Sequence, residues 1–444
     1  MNTIEALDYM GESAKKKGAS HFDILAGESE SLSLDLFEKK IKNTELSSSR
    51  GIGIRLFVDG KPGYAFTEKF SPEAIDQCVT DAIGHTELTG SLEVELPKPE
   101  ELPKIDLGLW SDNIKDIEAG QLKELGLQLE SAAFEANTLV ENIPYLSMSK
   151  SSGKSWIRNS LGLDYSVRAN SVGAGLGVVA VKGESRKMGV YFNNGTALSE
   201  LEPKYMAQTA VQRAVELLGA KPIQSGKYPV VLSHRVSGQI ISMYSAPYYA
   251  EVVQKNQSKL EGKQGASIAS PLFNLTCEPH LKGFSGSQLF DGEGILSQTT
   301  KVVEAGVLNT YLYNLEAAKK ENRSSTGHAS RGYSGQVGTS FSNMMVAKGK
   351  ESLDDLLSQH SKCFYVTNLE GGSGCSAISG ELSIGAQGFW VENGKKVQPV
   401  EGVTISSNYF ELLNDIQGLS DTYSDIHSSV KVPDILLRTM FVAG

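Results

Sequence analysis

A chain of 444 residues with a formal charge of −10, 40% hydrophobic and 21% charged residues, is too long for one ordinary core and has the composition of a globular protein. The negative balance and the lack of a basic patch argue against a direct nucleic-acid reader, since a phosphate backbone demands clustered cations; the run Lys15, Lys16, Lys17 reads as the solvated face of a helix. No stretch approaches the roughly 18 uncharged apolar residues of a membrane span, the opening residues hold no apolar leader, and Cys78, Cys277, Cys363 and Cys375 are scattered without a C-x-x-C pair, so the expected setting is the reducing cytoplasm, with no membrane and no nucleic acid as partner.

The first predicted element is a helix. Asn2 caps it, Glu5 reaches back three residues, and Ile4, Leu7, Met10 and Ala14 form its apolar stripe. Strand runs follow: HFDILAGES, then the alternating SLSLDLFEKKI, then GIGIRLFVDGKPGYAFT. In the last, Asp59-Gly60 predicts a hairpin turn, because both central residues of that turn need φ > 0. SPEAIDQCVTDAIG is the next helix, capped by Ser71 with Pro72 at its first position. Pro97, Pro99 and Pro103 mark residues 93–107 as a surface connector. A helix over about 114–137 precedes a strand group at 145–183, and another over roughly 199–219 turns Met206, Ala210, Val211, Ala214, Val215 and Leu218 inward. GAKPIQSGKYP then breaks the pattern, which divides the chain into domains 1–222 and 223–444. The second half is rich in strands, with a hairpin turn at Asn393-Gly394, and has few helices: one after Ser233, one at SLDDLLSQH and one at NYFELLNDIQ. Strand runs followed by isolated helices predict an α+β fold: an N-terminal α/β-type domain with a mixed or antiparallel sheet, then a strand-rich C-terminal domain.

Several patterns carry no chemistry. GAGLGVV at 173–179 lies inside a strand-like run and opens no helix, so its glycines mark close packing against another strand. GFSGS, GYSGQ and GGSGC each lack the last glycine of a nucleophile elbow, and the S-x-x-K matches are what a chain rich in Ser and Lys produces by chance. Asp291 and Glu293 in FDGEG could share a proton or a cation, although the flanking glycines favour a solvated turn. Arg323 and His328 stand in the Ser/Thr/Gly-rich segment ENRSSTGHASRG, a candidate cleft-lining loop.

His234 is the most suggestive residue, because it follows a branched apolar strand and opens a helix in VVLSHRVSGQII. A metalloprotease helix needs two imidazoles on one face and a glutamate to deprotonate the metal-bound water. Here Arg235 follows the histidine and Gly238 stands one turn on. An arginine cannot accept a proton, and its charge weakens a neighbouring dication site. As an isolated imidazole, His234 reads as a hydrogen-bonded structural residue.

Taken in order, GIGIRLFVDGKPGYAFT, SGKYPVVLS, SKLEGKQGASIASPLFNL, FDGEGILSQ, STGHASR, ISGELSIGAQGFWVENGKKVQPVEGVTIS and the closing VAG resemble the TldD/PmbA family, whose members were once described as modulators of DNA gyrase. The resemblance runs nearly end to end. It implies two related subunits that pair, with a zinc site in the TldD type built from H-E-x-x-x-H and a cysteine near the C-terminus. It also implies ATP-independent proteolysis of unfolded or extended peptides, such as antibiotic precursors and antitoxins, held in a cleft as an added strand. Of those ligands this chain keeps His234. Arg235 replaces the glutamate, Gln239 the second histidine, and Ser428 or Ser429 lies near the place of the cysteine, the departure typical of the PmbA/TldE branch. The expectation is a non-catalytic subunit with no metal or cofactor of its own, zinc residing on a TldD-like partner. Asp291, Glu293, Arg323 and His328 would face peptide or partner. A homodimeric, chaperone-like peptide-binding module is the alternative.

Overall fold

The computed structural model describes residues 1–92, 94–424 and 428–444. Helix α1 (Thr3–Lys16) carries the expected reciprocal cap between Asn2 and Glu5, and buries Ala6, Leu7, Met10 and Ala14. One antiparallel sheet of six strands follows: β1 (His21–Phe37), β2 (Lys40–Val58), β3 (Lys61–Thr67), β4 (Val140–Asn159), β5 (Asp164–Lys182) and β6 (Ser185–Gly195), in spatial order β3-β2-β1-β4-β5-β6. Strand β1 is a single run where the sequence suggested two. The turn joining it to β2 holds Glu38 and Lys39 at φ 49° and 61°. That hairpin lacks the Gly, Asn or Asp that usually marks positive φ, so residues 40–50 gave no strand signal. Asp59-Gly60 and Asn393-Gly394 do adopt positive φ as expected.

Two groups of helices cover this sheet, one at each end, and split its core. Helix α1 and α2 (Pro72–His85, capped by Ser71) pack with Phe22, Ile24, Ile52 and Ile54 at one end. A short α3 (Asp112–Lys115), α4 (Ala119–Ala136) and α5 (Pro203–Val215) pack with Leu34, Met148, Leu176 and Tyr191 at the other. Gly189 of β6 admits α5 closely: a Cβ there would lie 2.1 Å from the carbonyl oxygen of Ala210.

The C-terminal half is built on β7 (Gly226–Leu232), followed by α6 (His234–Met243). A small sheet holds β8 (Leu275–Cys277), β9 (Thr300–Glu304) and β10 (Met344–Val346). The main sheet adds β11 (Lys362–Glu370), β12 (Glu381–Glu392), β13 (Lys395–Asn408) and β14 (Ile416–Leu419). β15 (Val430–Lys431) joins the small sheet and β16 (Ile435–Ala443) the main one. The main sheet runs β13-β12-β11-β7-β16-β14, and a further β13–β16 pairing closes five of its strands into a ring. The β7–β11 pair is parallel. The arrangement is α+β, with an N-terminal sheet that is antiparallel throughout.

Helix α6 begins where β7 ends because Ser233 caps it, accepting from the Val236 N–H. Val236, Ile240 and Ile241 then recur at helical spacing and join the core of Val230, Leu232, Phe364, Ile384 and Ile405. This packing fixes which face of α6 is inward and leaves Arg235 and Gln239 off the core.

Candidate functional site at the helix of the degenerate motif

The first turn of α6 is held by a carboxylate from the other end of the domain. Asp434, just before β16, is 1% exposed. Its Oδ1 accepts from the His234 backbone N–H at 2.8 Å and lies 3.4 Å from His234 Nδ1, while Oδ2 accepts from Ser420 Oγ at 2.7 Å. Burial alone would raise the Asp434 carboxyl, but the His234 and Ser420 hydrogen bonds and the charge of His234 outweigh it and hold it below its ordinary value. His234 thus sets its imidazole beside a carboxylate that accepts from its own backbone N–H.

Gln239 is exposed, whereas Arg235 is largely buried and reaches Asn368 Oδ1 on β11. Asn368 donates onward to Gln387 Oε1 at 3.1 Å, and Gln387 to Glu370 Oε1 at 2.8 Å. Arg235 Nε is buried with no hydrogen-bond partner, and no carboxylate pairs with this guanidinium among the described residues. Burial, then the neighbouring Arg213, pushes Arg235 down to about 10.

These residues do not suit a zinc ion. One imidazole is present, the nearest carboxylate has both oxygens engaged, and a guanidinium stands where the general base would be. Among the described residues no three His, Cys, Asp or Glu side chains are grouped to hold a metal. Ser428 Oγ accepts from the Val430 N–H, and the Ser429 carbonyl from the Met344 N–H.

Around Arg235 a cleft of about 270 Å³ opens between the two halves of the chain. Its walls are β6, the end of α5, the first turn of α6 and strands β11, β12 and β13; Arg213, Arg235, Lys396 and Glu216 line it together with His234. Arg213 donates to the Val190 carbonyl, and Lys396 lies over the Phe389 ring and 3.9 Å from Glu216.

The other predicted residues lie apart from this cleft. Asp291 and Glu293 occupy a turn, as expected, but it is not solvated: they are 2% and 1% exposed. Glu293 accepts from Arg55 Nη1 at 2.5 Å and from the Leu315 N–H at 2.7 Å, and Asp291 accepts three backbone N–H groups, of Glu293, Ile295 and Ala329. The correction has a plain cause: cations from β2 and from the following loop close over the turn, which local sequence does not reveal. His328 is buried with Nδ1 against Thr326 Oγ1. Arg323 is 45% exposed and pairs with Glu321 at 3.4 Å. The neighbouring cation that sequence reasoning passed over, Arg331, is the buried one, bonded to Asp23 on β1. Arg213, Lys396 and Asn368 were also missed, since each is distant in sequence from the helix it faces.

An open antiparallel sheet joined to a strand ring that carries α6 defines an α+β architecture, and comparison with known proteins assigns it to a family. Family models described as PmbA/TldA metallopeptidase domain 1, central domain and C-terminal domain match residues 22–85, 112–218 and 225–444. The chain belongs to this PmbA/TldA metallopeptidase family. It is 26% identical over 442 residues to a metalloprotease PmbA homolog of Haemophilus influenzae, covering 99% of this chain and 96% of that one. It is 24% identical to metalloprotease PmbA of Escherichia coli O157:H7, covering 97% and 93%. A Thermotoga maritima structure described as a candidate modulator of a DNA gyrase matches with a TM-score of 0.89 at 27% identity, covering 99% and 100%. TldE of Thermococcus kodakarensis shares the fold, with a TM-score of 0.88 at 21% identity and coverage of 99% and 100%.

Proposed function

We propose that this chain is the non-catalytic, TldE-like subunit of a two-part metalloprotease acting on unfolded or extended peptides. One observation carries the reading: at the helix where a metallopeptidase of this kind would place two imidazoles and a glutamate, His234 is engaged with Asp434, Arg235 is bound to Asn368 and Gln239 faces outward. A guanidinium neither accepts a proton nor tolerates a dication beside it. A TldD-like partner then supplies zinc, nucleophilic water and base, and this chain completes the chamber in which the peptide lies.

The test is reconstitution. The purified chain should hold no stoichiometric zinc and cleave no unfolded peptide, yet raise activity when mixed with a TldD-like protein. One zinc per chain, or proteolysis by the chain alone, would defeat the reading.

A further inference from the structure

The cleft beside α6 is lined by more cations than carboxylates among the described residues. Arg213, Arg235 and Lys396 line it, and Glu216 is the one carboxylate among its described lining residues. Glu216 is already engaged, accepting from Gln212 at 2.6 Å and lying 3.9 Å from Lys396. Arg235 reaches a negative charge only through two amides in series, Asn368 and Gln387, ending on Glu370. A guanidinium taken largely out of water without a carboxylate partner is costly, and such groups persist where something else compensates them. The α6 N-terminus is not that compensation's target, because Asp434 already occupies it.

We propose that the Arg235 cleft binds a carboxylate, with Arg235 as the principal cation and Lys396 and Arg213 at its rim. The chemistry favours a planar anion. Guanidinium donors form a flat fork that matches two carboxylate oxygens, and Asn368 and Gln387 extend a polar wall beside it. A volume of about 270 Å³ accepts a few residues or a small acid. Where the family's metal motif would place the general-base glutamate, this chain offers a guanidinium, so the charge at that position is inverted. A peptide C-terminus and a free small acid present the same group. That a peptide carries it rests on the reading above; that a carboxylate binds does not.

Titration calorimetry on the full chain at low salt tests this with four probes: an N-acetylated tripeptide with a free C-terminal carboxylate, the same peptide amidated, succinate, and inorganic phosphate. The free acid should bind roughly tenfold or more tightly than the amide, with affinity falling as salt rises. Arg235→Gln should lower affinity by a similar factor, and Lys396→Gln, at a partly exposed side chain, by less. Succinate that displaces the peptide supports a free acid as ligand; succinate that does not supports the peptide terminus. Equal binding of acid and amide, tighter binding of phosphate, or unchanged affinity in a folded Arg235→Gln protein would overturn the assignment. Zinc content and complementation of a partner are read separately, so either idea can fail alone.

Discussion

Arg55 on β2 donates to Glu293, 238 residues further along the chain, at 2.5 Å, with both side chains at most 1% exposed. The same guanidinium donates through Nε to Asp23 at 2.9 Å, and Asp23 also accepts from Arg331. Two cations and two carboxylates thus lock the N-terminal sheet to the turn and loop of the C-terminal half. Burial alone would raise Asp23, but Arg331 and Arg55 hold it below its ordinary value.

Removing one member strands the others in a dry place. Arg55→Met leaves Asp23 short of a partner and Glu293 without its cation, and should lower unfolding free energy by about 3–5 kcal/mol, read from urea midpoints. A loss no larger than that of an exposed ion pair such as Lys320–Glu316 would show that the network does not hold the halves together.

Asp291 and His328 give this interface two pH limbs of opposite sign. Burial, then the charge of Glu293, pushes Asp291 from 3.8 up to about 7, and burial pushes His328 from 6.5 down to about 4. A carboxyl raised on folding stabilises fully below 3.8 and loses that contribution as pH climbs to about 7. A histidine lowered on folding stabilises fully above 6.5 and loses that contribution as pH falls to about 4. The slopes oppose each other across the shared window. Asp291→Asn should therefore unmask stability that rises with pH there, and His328→Gln stability that falls; parallel profiles for the two variants would contradict this.

Close packing of the loop over β2 offers a separate handle. A Cβ on Gly53 would lie 1.8 Å from the Tyr333 carbonyl oxygen, and one on Gly51 2.2 Å from its ring. Gly53→Ala should displace residues 331–336 and expose them to limited proteolysis, while the sheet, built from long paired strands, stays intact. Unchanged protease resistance would mean that the loop is held elsewhere.

Rebuilding the motif should not rebuild the metal centre. In an Arg235→Glu, Gln239→His double variant, Asp434 still has both oxygens occupied and the cysteine is still absent. Zinc measured by elemental analysis should remain sub-stoichiometric. A full equivalent would place the missing ligand elsewhere in the chain.

What the sequence made legible follows from the range over which each signal acts. Caps at Asn2 and Ser71, turns at Asp59-Gly60 and Asn393-Gly394, and the helix that opens after Ser233 are short-range and read directly. The Glu38-Lys39 turn was illegible because neither residue type signals positive φ, and the join of β1 into one strand went with it. At the site, Arg235 and Gln239 were readable as departures from a motif. The company Arg235 keeps was not, since Arg213, Asn368 and Lys396 come from three other elements. The burial of Asp291 and Glu293 was likewise hidden, because Arg55 reaches them from another sheet.

Strand β16 lies between β7 on one side and β13 and β14 on the other, yet it is supplied by residues 435–443. Order of manufacture therefore matters. All six strands of the first sheet exist once residue 195 has been made, so that half can assemble while translation continues. The ring lacks a stave until residues 435–443 leave the ribosome, and in that interval one edge of β7 stands unpaired. A nascent chain stalled shortly before β16 would be half finished in a literal sense: one folded body towing an open one that invites chaperones.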